Sequence, residues 1–98
     1  MAGAKGSAVE VDGIEVTVVV DPADDYELIE CACVSSDPGA GVEERNRAYF
    51  RRNHILLGDG YDRVMGELRA ANGGRLPRDV VASFMSRVVA GVAEAKNS

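Results

Sequence analysis

The sequence predicts one α+β domain, an N-terminal β-hairpin followed by a bundle of about four α-helices. Two β-type runs meet at Asp12-Gly13, a dipeptide that readily takes the positive φ angles of a two-residue type I′ turn. From Tyr26 onward apolar residues recur at three and four positions instead of alternating, which is the period of a helix face. Gly, Pro, Asp and Asn then cluster at 37–41, 58–60 and 72–77 and cut that helical pattern into segments. The 98 residues suffice for one hydrophobic core and are too few for two.

Residues 1–7 are small, include two glycines and show no periodicity, so they read as a flexible start, with a single domain over 8–95. The hairpin is expected over 8–20. Ile14, Val16, Val18 and Val20 share one face of its second run, and Val9 and Val11 flank Glu10 in the first, so one side of the hairpin is apolar. A lone hairpin is marginal in water, so other elements must cover it.

Asp21-Pro22 opens a helix expected over about 22–35, with Asp21 as N-cap, Pro22 at the first helical position, and Asp24 and Asp25 near the positive end of the dipole. Its apolar positions are Tyr26, Ile29 and Cys33, with Leu28 and Ala32 beside them, and a loop follows at Ser35 to Gly41. A second helix over 42–57 opens with Glu43 and Glu44 and stops at Gly58, and Tyr49, Phe50, Leu56 and Leu57 are its expected buried residues. Asp59-Gly60 restarts the chain into a third helix over about 60–71, with a Tyr61, Val64, Met65, Leu68 stripe, ended by Asn72-Gly73-Gly74. The last helix, about 77–94, carries Val80, Val81, Phe84, Met85, Val88, Val89 and Val92. So many β-branched residues are only fair helix formers, so packing must hold it.

Eleven basic residues against sixteen acidic give a net charge of -5, which repels phosphate backbones and makes nucleic acid a poor partner. No apolar run has the length of a membrane span, and the N-terminus lacks the apolar stretch of a secretory signal, so a cytoplasmic protein without a membrane partner is expected. Apolar residues are 46% of the chain but aromatics only 5%, which predicts a core of Val, Leu, Ile, Ala and Met.

Catalysis needs positioned nucleophiles, bases or metal ligands. The chain has one histidine, His54, and none of the Gly-Lys-Ser/Thr, His-Glu-x-x-His or Gly-x-Ser-x-Gly motifs, so neither an enzyme nor a cofactor is expected. His54 is placed near the end of the second helix, where an imidazole suits the helix C-terminus. Cys31 and Cys33, two apart on a helix, point about 200° from each other and read as packing residues. The acidic group Asp21, Asp24, Asp25, Glu27 and Glu30 lacks the alternating spacing and central glycine of a calcium loop and reads as a solvated face.

Two patterns point to partners. Arg45, Arg47, Arg51 and Arg52 form the one dense basic segment; they suit an acidic protein surface or, as the alternative function, make the chain a small nucleic-acid-binding regulator whose affinity falls steeply with salt. The stripe of the last helix, together with Tyr61, Met65 and Leu68, is mostly core, with some of it left to face a partner, since Met-bearing apolar faces repack on varied surfaces.

After the hairpin and the acidic Tyr26-Glu27-Leu28-Ile29 helix come Leu56-Leu57-Gly58-Asp59-Gly60-Tyr61-Asp62-Arg63-Val64-Met65-Gly66-Glu67-Leu68-Arg69, a Gly-rich turn, and Leu76-Pro77-Arg78-Asp79-Val80-Val81-Ala82-Ser83-Phe84-Met85. Over residues 9–93 this order resembles the small tail assembly chaperones of long-tailed phages and prophages. The resemblance implies a protein of the bacterial host cytoplasm, without catalysis or cofactor, that binds and shields the tape measure protein and helps recruit the tail tube protein; a homo-oligomer is a further partner arrangement open to such a chaperone. The partner-binding residues it implies are Tyr61, Met65 and Leu68 from the motif helix and Phe84, Met85 and Val88 from the last one. The Gly-Ala-Gly linker and the Arg-rich second helix depart from the family pattern.

Overall fold

A computed structural model describes residues 6–96, with side chains to Ala95. The flexible start expected for residues 1–7 therefore lies, for 1–5, outside the described residues, while at Ser7 the chain is already in a strand. Strands β1 (Ser7–Val11) and β2 (Ile14–Val18) pair antiparallel, with Val9 opposite Val16 and Val11 opposite Ile14. Asp12 and Gly13 join them at φ 54° and 80°, both positive as a type I′ turn requires. Val11, Ile14, Val16 and Val18 face inward, while Glu10, Glu15 and Thr17 face solvent. β2 ends at Val18, two residues short of the expected limit; Val19 is exposed and Val20 half-buried.

The expected bundle of about four separate helices takes the form of three helical runs. The first is α1 (Tyr26–Ser35), and the last is α4 (Arg78–Lys96). The middle run is broken: α2 (Val42–Leu57) passes through a single 3-10 turn at Gly58–Gly60 straight into α3 (Tyr61–Ala71). Gly58 makes the break at φ 52°, ψ -132°, a region open to glycine alone, while its N–H donates to the His54 carbonyl.

The start of α1 corrects the sequence reading. Asp21 does not cap the helix: its Oδ1 accepts from the Ala23 N–H at 3.0 Å and its carbonyl accepts from Asp24 and Asp25, closing a turn that contains Pro22. Asp25 is the N-cap, its Oδ1 accepting from the Leu28 N–H at 3.1 Å.

The apolar face of the hairpin is covered by α4 lying along β1, with α3 and the end of α2 against β2. Gly91 permits this: a Cβ there would stand 3.1 Å from Val9 Cγ1, so the bare backbone lets α4 seat close to the strand. Phe84, Met85, Val88 and Val92 from α4 meet Leu56, Leu57, Val64 and Leu68 and the hairpin residues in one core, to which α1 adds Leu28. Each such side chain fully removed from water stabilises the fold by about 1.5–3 kcal/mol. At the rim Arg87 grips Asp12 through two bonds of 2.8 Å, pinning the hairpin turn to α4. Arg63 donates to the Glu15 carbonyl at 2.7 Å and to Glu67 at 2.7 Å, tying α3 to β2. No helix of the described residues is long and apolar enough to cross a membrane.

Candidate protein-binding surfaces

The core accounts for most of the residues expected to touch a partner. Met65, Leu68, Phe84, Met85 and Val88 are buried, and Tyr61 is half-buried. This corrects their reading as a contact surface: the stripes of α3 and α4, with the end of α2, are consumed in covering the hairpin. Phe50, expected inside, is 58% exposed. No residue from Val42 to Arg52 is buried; α2 enters the core only with Asn53, Leu56 and Leu57.

The apolar surface lies instead on α1 and the first half of α2. Tyr26 is 78% exposed and Ile29 42%, with Ala32 and Cys33 exposed beside them. This stripe, read from sequence as the apolar positions of the helix, is its outer side; Leu28 and Cys31 are the residues turned inward. The helix is thus apolar on both faces, a pattern that belongs to helices covered all round. Among the described residues the large exposed hydrophobics are Val19, Tyr26, Ile29, Val42 and Phe50, four of them on α1 and α2.

Charge around this surface is locally balanced. Arg51 pairs with Glu27, holding α2 to α1. Arg45 donates to the Ala40 carbonyl at 2.7 Å and more weakly to that of Asp37, bracing the loop between the helices. Arg47 and Arg51 share the α1–α2 cleft with Glu30 and Glu44. Arg52 is half-buried, so the four arginines do not build a continuous cationic face. Cys31 and Cys33 are free thiols, one buried and one exposed; burial pushes the Cys31 thiol up, away from the thiolate form that redox chemistry uses. Among the described residues no three His, Cys, Asp or Glu side chains converge as metal ligands.

A second feature lies where α2, the start of α3 and the segment entering α4 meet. A groove of about 220 Å³ is walled by Phe50, Tyr61, Met65, Leu76 and Val81, with Asn46, Tyr49, Asn53 and Arg78 supplying its polar groups. The His54 ring stacks on Tyr61 at 3.6 Å between centroids and 18° between planes, and Phe50 leans on His54 at 4.3 Å. His54 does lie in the last turn of α2, but its ring belongs to this aromatic group. Burial raises the Tyr61 phenol above its ordinary range.

Asn53 is the residue that stands out least in the sequence. It is 4% exposed, and its Oδ1 has no hydrogen-bond partner; the Tyr49 hydroxyl and His54 Nε2 are likewise buried without one. An unpaired buried polar group costs about 1–3 kcal/mol. Its signal in the sequence is a polar residue three positions before Leu56, on the same helix face. Arg78 is the one charged residue lining the groove, and its guanidinium donates to Asn46 Oδ1. A larger groove of about 470 Å³ between the hairpin turn and α4 includes Arg87, already bound to Asp12.

No family model, curated protein or solved structure matches the chain.

Proposed function

We propose that the chain is a non-catalytic assembly chaperone that holds an apolar helical segment of a larger client against α1 and α2. In the form suggested by the tail assembly chaperones, it acts in the bacterial host cytoplasm, with the tape measure protein as client, the tail tube protein as a further partner, and self-association through the same surface. Its working frame is a hairpin with about four helical segments bundled over it. The observation that carries this reading is the exposure of Tyr26 and Ile29 on α1 and of Val42 and Phe50 on α2. Two helices side by side with exposed apolar residues offer a client helix a place to lay its own apolar face. The Glu27–Arg51 pair supports presentation of the two helices as one unit. The nucleic-acid alternative is weakened because Arg45 and Arg51 are engaged within the chain.

The test is co-expression with a long, coiled-coil-rich tape measure protein. The wild-type chain is expected to keep the client soluble and to co-purify with it. The double variant Tyr26→Asp, Ile29→Asp, altered only at exposed positions, is expected to fold and to lose both effects. An insoluble client beside the wild-type chain, or full rescue by the double variant, overturns the proposal.

A further inference from the structure

We infer that α1 is a strap that lifts from α2 as a unit while the hairpin, α3 and α4 stay folded, with Leu28 as its latch. The inference rests on how α1 is packed and stands whether or not its outer residues hold a client.

Local stability follows the buried apolar contacts that each element makes. α1 packs along α2 and on no other element to a comparable extent. Of its ten residues only Leu28 and Cys31 are buried, and Leu28 is the one it sends into the common core, where α4 sends Phe84, Met85, Val88 and Val92. Cys31 lies against α2 instead, in a cleft of about 190 Å³ that Arg47, Ala48 and Arg51 line from the other side. A gap along the line of contact forfeits the dispersion contacts of close packing. The α2 side is equally thin, with no buried residue before Asn53.

The polar ties are weak or local. Glu27–Arg51 joins α1 to α2 through side chains that are both more than half exposed, and such pairs contribute little in water. The bonds at the helix ends stay within the segment: Asp25 accepts from the Leu28 N–H, and the Ser36 hydroxyl donates to the Ala32 carbonyl at 2.8 Å. They travel with the helix when it lifts. Beyond its C-terminus, Asp37 Oδ1 accepts from the Gly39 N–H at 2.8 Å in a loop that Arg45 fastens to α2, and this loop is the pivot.

Lifting exposes Leu28 and Cys31 in addition to Tyr26 and Ile29, and it uncovers the α2 side of the cleft at Ala48. The cover of the hairpin stays in place, because α4, α3 and the end of α2 supply it. Closure therefore depends chiefly on returning Leu28 to the core.

The test uses the full chain carrying Cys33→Ser, a change at an exposed position, so that Cys31 is the one thiol. Its labelling by N-ethylmaleimide is followed at rising urea below the unfolding midpoint, beside hydrogen exchange of the backbone amides. Labelling of Cys31 and exchange in α1 are expected to rise along a shared slope, roughly a quarter of that for global unfolding. The amides of residues 29–34 are expected to exchange at least about 100-fold faster than those of residues 85–92. Glu27→Gln should speed Cys31 labelling by about 2–5-fold and Leu28→Ala by at least about 30-fold, both leaving the α4 amides slowest. Ile14→Val, in the hairpin, should speed exchange in α4 and leave Cys31 unchanged. Labelling independent of urea, labelling on the global slope, a response of Cys31 to Ile14→Val, or loss of α4 protection in Leu28→Ala overturns the inference; failure of the chain to rescue a client does not bear on it.

Discussion

Replacing Asn53 with leucine should make the protein more stable, against the usual direction of core substitutions. Asn53 sits in α2, 4% exposed, with its Oδ1 unpaired. Leucine removes that acceptor and relieves about 1–3 kcal/mol of uncompensated desolvation. It is also the better helix former, by about 0.5 kcal/mol. Against this stands the mismatch between a flat amide and a branched side chain in a packed site, about 1 kcal/mol. The balance is a gain of about 0.5–2.5 kcal/mol. For a domain of this size each kcal/mol moves Tm by about 4–8 °C, so Asn53→Leu is expected to melt about 2–20 °C higher. Urea unfolding should show a raised midpoint at unchanged slope. A lower Tm would refute the reasoning, because it would mean that Oδ1 already has a donor in solution.

The remaining predictions concern the frame. Gly66 lies inside α3 with nothing within 4 Å of an added Cβ, whereas a Cβ at Gly91 meets Val9 at 3.1 Å; Gly66→Ala should therefore stabilise by about 0.5–1 kcal/mol, and Gly91→Ala should fall short of that gain in parallel urea titrations. The hydrogen bond from Arg87 holds the Asp12 carboxyl below its ordinary value. The stabilisation from this pair is thus complete above the unfolded carboxylate pKa of about 3.9 and is lost as pH falls through the lower folded value. Arg87→Gln should remove that part of the acid dependence of unfolding and leave the protein's neutral-pH core signature by near-ultraviolet circular dichroism intact.

The parts of the fold written in local signals were legible. The Asp12-Gly13 pair and strict alternation define the hairpin and its inward face, and Gly41 and Gly58 bracket α2 over 42–57. The start of α1 was not, because Asp21 and Asp25 are both competent caps. The sequence rule favours the one followed by Pro22, but Asp21 uses its side chain and carbonyl to close a turn. Nor was the buried face of α1 legible: with apolar residues on both sides, periodicity marks a helix without saying which side is packed. Tertiary contact selects Leu28 and Cys31 over Tyr26, Ile29 and Cys33. The Phe50 and Asn53 reversal has the same origin. Hydrophobicity alone puts the aromatic inside, whereas the core begins at Asn53 and leaves the first half of α2 beyond its edge.

That geometry explains why the residues of the expected motif are not free for contact with a partner. This hairpin has one apolar face, and α4, α3 and the end of α2 cover it, so Phe84, Met85 and Val88 have no freedom to meet a client without unfolding the domain. α1 is held differently. It packs chiefly on α2 and is tied there by Glu27–Arg51, while contributing Leu28 to the common core. An element with few core contacts and exposed apolar residues sits at the low-stability end of a fold, where opening or repacking against a partner is easiest. The two halves of the fold differ accordingly: α3, α4 and the end of α2 cover the hairpin, while α1 and the first half of α2 carry the exposed apolar residues on which the proposed holding function rests.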